Sequence, residues 1–93
     1  MRIIGQIEHP DLKITVFKSD NRISVKFENE GYEQIFKLGT DERLNDVESI
    51  RNWADPVFLE EVLMRMQQMH RSRLSALVRA FPTEMTSEFE EII

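Results

Sequence analysis

The chain has 93 residues, 12 Lys/Arg against 17 Asp/Glu, a formal charge of −5 and no cysteine. That length is one domain's worth with a modest stability margin, and the missing thiols exclude disulfide staples and thiolate zinc sites. No run approaches the roughly 18 apolar residues of a membrane span, and the first ten residues are too short in apolar run for a signal peptide, so the expected setting is the cytoplasm.

Residues 1–38 alternate apolar and polar with period two, the signature of strands. "RIIGQIE", "LKITVFK", "RISVKFE" and "YEQIFKL" are separated by "HPD", "SDNR" and "NEG", which carry turn chemistry. Tight loops at Asp20-Asn21 and Glu30-Gly31 place Val16 opposite Val25, Ile14 opposite Phe27, Val25 opposite Phe36 and Ile23 opposite Leu38. A four-residue loop at His9-Pro10 places Ile7 opposite Leu12 and Ile3 opposite Val16. All three turns send one set inward: Ile3, Ile7, Leu12, Ile14, Val16, Ile23, Val25, Phe27, Tyr32, Phe36 and Leu38. A one-residue slip would break the agreement, so 1–38 is read as a four-stranded antiparallel meander. The outer face is mixed, with Ile4, Phe17 and Ile35 scattered among polar residues and Lys13 opposite Glu28.

After the loop "GTDERLND", residues 45–54 read as a short helix, with Asn45 as cap and Glu48 three residues on. Asp55 and Pro56 then suit a helix start, and a long helix over 56–81 ends before Pro82. At 1.5 Å per residue it is about 39 Å long, against about 27 Å for an eight-residue strand. It is expected to overhang the sheet on which it packs. Leu59, Leu63, Met66, His70, Leu74, Leu77 and Phe81 form one stripe, flanked by Val62, Met69 and Ala80. The tail 83–93 is acidic and spaces Met85, Phe89 and Ile92 by four and three residues. The whole is an α+β fold in a single domain, 1–93: meander, short helix, one long amphipathic helix on one sheet face, and tail.

"RMQQMHRSR", residues 65–73, concentrates three arginines, a histidine and two methionines. On the wheel the methionines and His70 fall on the stripe, where burial or an interface is expected, while Arg65, Arg71 and Arg79 scatter around it. Arg73 edges the stripe and wants an acid, Glu88 or Glu90 of the tail or an acid of a second subunit. His9 and His70 share no metal-ligand spacing, Ser72 and Ser75 lie off the azimuth of His70, and Gly5, Gly31 and Gly39 are isolated. No catalytic, cofactor or metal site is expected, and no enzyme. Trp53 is expected to close one end of the core.

A four-stranded meander followed by a long dimerising helix resembles, in architecture, the single-stranded-DNA-binding transcriptional coactivators of the PC4 and whirly type. The resemblance implies an outer-face nucleic-acid surface formed by Arg2, Lys13, Phe17, Lys26 and Lys37. Glu8, Glu28 and Glu33 share that face and only one aromatic is offered, where base stacking wants several. The preferred expectation is a non-enzymatic interaction module. It forms a homodimer through Met66, His70, Arg73, Leu74, Leu77 and Phe81, with a protein partner open and nucleic acid as the alternative.

Overall fold

The computed structural model describes residues 1–82, and the expectations for the tail 83–93 lie outside them. The chain is α+β: β1 (Arg2–Ile7), β2 (Lys13–Ser19), β3 (Arg22–Glu28) and β4 (Glu33–Gly39), a 3-10 turn at Glu42–Leu44, then α1 (Val47–Trp53) and α2 (Pro56–Ala80). The four strands form one antiparallel sheet in the order β1-β2-β3-β4. No helix among the described residues is long and apolar enough to cross a membrane. The chain divides into two compact units, Met1–Leu63 and Met64–Ile93, with the break inside the run of α2.

In the first unit the β2–β3 register is the one the turns imply, with Val16 opposite Val25, Ile14 opposite Phe27 and Lys13 opposite Glu28. Asp20 opens the two-residue turn at φ +57°, a conformation that Asp tolerates better than most residues. Val25 lies opposite Phe36, but a bulge then sets Ile23 opposite Gly39 rather than Leu38. Gly39 sits at φ +73°, where a side chain is strained, and so lets β4 leave the sheet.

The first strand departs most. Ile7 pairs with Ile14, not Leu12, because the β1–β2 connection is longer than the four-residue loop. Both registers have the same parity, so Ile7 and Leu12 are still buried. Between Ile3 and Gly5 a bulge shifts the strand by one residue, and Ile3 lies beside Phe17 instead of Val16. Ile3 is therefore on the outer face and 58% exposed. Gly5 permits the close approach of α1: a Cβ there would meet Val47 Cγ2 at 2.6 Å.

The core of this unit is Ile7, Leu12, Ile14, Val16, Ile23, Val25 and Phe27 from the sheet, with Ile50, Ala54 and Val62 from the helices. Four aromatic rings close it: Phe27, Phe36, Trp53 and Phe58, with centroids 4.5–6.4 Å apart, mostly edge-on or tilted as ring quadrupoles prefer. Trp53 thus has the core-closing place expected of it. Gln34, on the inner face of β4, donates from Nε2 to the Val62 carbonyl at 2.9 Å, which satisfies a polar group that burial would otherwise penalise.

The helix starts follow side-chain chemistry. Asp46, rather than Asn45, caps α1. Its carboxylate accepts from the Ser49 N–H at 2.8 Å, and the Ser49 hydroxyl reciprocates toward the Asp46 backbone. Glu48, expected in that reciprocal role, instead pairs with Arg51. Asp55 caps α2 by accepting from the Phe58 N–H at 2.8 Å. The 3-10 turn, unforeseen in the sequence, starts on Asp41, whose carboxylate accepts from the backbone N–H, Nε and guanidinium of Arg43.

Candidate functional site

Two surfaces carry the residues expected to bind something: the outer sheet face in the first unit and the α2 residues from Met64 onward in the second.

The outer face is built in rows across the strands. One row holds Ile3, Phe17, Ser24 and Lys37, and the next Gln6, Thr15, Lys26 and Ile35. Arg2, assigned to this face from the sequence, is not on it. The β1 bulge pairs it with Lys18, which pairs with the buried Ile23, so it belongs to an inward row. In its place Ile3 comes beside Phe17, making a contiguous apolar pair where scattered residues were expected. Lys13, Phe17, Lys26 and Lys37 are on the face as expected.

Lys26 does more than supply charge. Its Nζ lies 5.5 Å from the centre of the Phe17 ring and 3.4 Å from the Glu28 carboxylate, a cation–π contact and a weak surface ion pair. Thr15, between Gln6 and Lys26 in its row, is only 2% exposed. The middle of this face is thus a small covered cluster, while Ile3 and Ile35 (53% exposed) stand at its two edges. Charges of both signs surround it, since Glu28 and Glu33 share a row with Lys13.

The second surface is a run of helix. Met66 is 3% exposed in the single chain, so it offers almost nothing to a second copy. His70, expected buried on the stripe or at an interface, is exposed. At about 100° per residue His70 lies about 60° from the line between the buried Val62 and Met66, past the residues that face the core. Arg73 is exposed, Leu74, Leu77 and Val78 are half-buried, and Phe81 is 50% exposed. Leu74, Leu77, Val78 and Phe81 are spaced i, i+3, i+4, i+7, an apolar seam on one side of the helix. Val78, which lies off the stripe expected from the sequence, joins it. The acids expected to face Arg73, Glu88 and Glu90, lie outside the described residues. Arg79 donates to the Ser75 hydroxyl at 2.6 Å.

The Arg43 side chain holds the Asp41 carboxyl down at about 2, from an ordinary 3.8, and hydrogen bonds from Ser49 hold Asp46 below its ordinary value. Both are helix-start groups. Among the described residues no cluster of three or more His, Asp or Glu could hold a metal ion. A shallow groove beside the end of β1, lined by Gln6, Glu8, Arg51, Asp55 and Leu59 among others, brings polar groups together without a nucleophile–base pair. The chain matches no family model, and comparison with curated proteins and with solved structures gives no match.

Proposed function

We propose that this chain is a small non-enzymatic interaction module that self-associates as a homodimer through the second half of α2, acting in the cytoplasm, a setting its cysteine-free composition fits. The observation that supports it is the apolar seam of Leu74, Leu77 and Val78 in the 25-residue helix α2, continued by Phe81 just past its end. Each large apolar side chain left in water forgoes roughly 1.5–3 kcal/mol of burial. A twofold pairing of identical seams covers both copies with one set of contacts, as closed dimers require. His70 and Arg73 would lie at the rim of that contact, and Met66 outside it.

Sedimentation of the wild type and of Leu77→Glu tests the reading. A dimer at tens of micromolar that the substitution weakens is the expected result. A wild-type monomer at that concentration ends it, and a dimer indifferent to Leu77→Glu moves the contact elsewhere.

The outer sheet face supports a second reading, single-stranded nucleic-acid binding, because the bulge sets Ile3 beside Phe17 with Lys26 over the ring. Lys13 and Lys37 would contact phosphates. A binding constant falling steeply with salt, and less steeply in Lys37→Gln, would favour it.

A further inference from the structure

The C-terminal third of the chain separates its charges along the sequence. Residues 64–82 contain Arg65, Arg71, Arg73 and Arg79 and neither Asp nor Glu, whereas residues 83–93 contain Glu84, Glu88, Glu90 and Glu91 and no basic residue. Arg71, Arg73 and Arg79 are exposed. On a helix advancing about 100° per residue, Arg71 and Arg73 fall on opposite sides of the seam, each within about 100° of its centre. A ligand seated on the seam would therefore meet a cation on either flank.

We propose that residues 83–93 are that ligand: the segment docks in cis on the seam, its glutamates toward Arg71 and Arg73 and its Met85, Phe89 and Ile92 toward Leu74, Leu77 and Phe81. Three arguments select this occupant. The charges are complementary, four glutamates in the segment against the two arginines that flank the seam, Arg71 and Arg73. The reach is sufficient: Arg71 lies ten residues back from Phe81, about 15 Å along the helix, and the eleven residues 83–93 can span up to about 36 Å. Attachment to the helix end also gives the segment an effective concentration on the order of millimolar, above a second copy at micromolar levels. Docking in cis would cover the same seam that the dimer uses, so the acidic segment competes with a second copy. Only this competition rests on the proposed self-association, and the docking itself does not.

The test uses the full chain and a variant with Glu84→Gln, Glu88→Gln, Glu90→Gln and Glu91→Gln. Backbone amide spectra of the two should differ at residues 70–81 and agree over the sheet. Raising salt from about 0.05 to about 0.5 M should move the wild type toward the variant, as screening of exposed pairs requires. In sedimentation the variant should associate about three- to tenfold more tightly, the scale that a few weak surface pairs permit. Identical amide positions over 70–81 in the two chains would overturn the docking. A variant that dimerises more weakly would overturn the cis arrangement and assign the segment to the other copy's seam. Spectral differences at 70–81 with no association in either chain would uphold the docking while removing the dimer.

Discussion

Two glycines in this chain do different work, and substitution separates them. At Gly5 the limit is steric, because an added Cβ meets Val47 Cγ2 at 2.6 Å. Gly5→Ala is expected to lower unfolding free energy by about 1–3 kcal/mol, the usual range for overpacking. Val47→Ala in the same chain should recover part of that loss in denaturant titrations, because it removes the obstructing methyls. At Gly39 nothing lies within 4 Å of the added carbon, and only φ +73° resists it. Gly39→Ala should cost about 1–2 kcal/mol, with no second-site rescue through packing. A third residue-scale expectation concerns acid. Asp41 and Asp46 have carboxyl pKa values lower folded than unfolded. Their contribution is complete above the ordinary value near 3.8 and is lost as pH falls through the folded values, which for Asp41 means about 2. An NMR titration should place the Asp41 midpoint near 2, and Arg43→Ala should return it toward 3.8.

At the scale of elements, β1 makes the sharpest prediction. Ile7→Ala removes a buried side chain and should cost about 2–5 kcal/mol, whereas Ile3→Ser, four residues earlier, should change stability by no more than about 0.5 kcal/mol. Equal losses would mean that β1 runs without its bulge. The same strand shows what the sequence could and could not say. Alternation determines parity, and parity was enough to put Ile7, Leu12, Ile14, Val16, Ile23, Val25 and Phe27 in the core, while Ile3 lies on the other face. Parity cannot choose between loops that differ by two residues, so the β1–β2 register slipped while its facing survived. Nor could it locate the bulge, because Ile3 and Ile4 are both isoleucine and either could point inward. The signal available was Gly5, since a glycine inside a strand marks a bulge or a close backbone approach, and here it accompanies both. The cap of α1 moved by one residue for a comparable reason: Asn45 and Asp46 are both good caps, and the reciprocal Ser49 hydroxyl decides between them. Gln34 was passed over because polar residues on inner faces are rare, and its partner is a backbone carbonyl that no side-chain pattern reveals. Gln34→Ala should cost about 1 kcal/mol, since the Val62 carbonyl remains within the helix.

Across the whole molecule the binding surfaces were less legible than the fold. A helical wheel assigns every stripe residue to one face, yet Met66 is enclosed while His70 on the same stripe is exposed. The outer face likewise lost Arg2 and gained Ile3 through a single bulge. Both corrections redraw the expected surfaces: the helix keeps Leu74, Leu77 and Phe81 and adds Val78, and the sheet keeps Lys13, Phe17, Lys26 and Lys37 and adds Ile3.

The position of Trp53 has a spectroscopic consequence. The only tryptophan sits among Phe27, Phe36 and Phe58, where β3, β4, α1 and the start of α2 converge. Its emission is therefore a reporter for residues 1–63. Far-ultraviolet circular dichroism weights the part of α2 after Leu63 heavily, because it is helical. Heating followed by both methods then measures whether the two compact units melt as one cooperative system. Superimposed curves indicate a single transition. A dichroism loss that precedes the fluorescence change assigns the earlier melting to the second half of α2, without any label having been introduced.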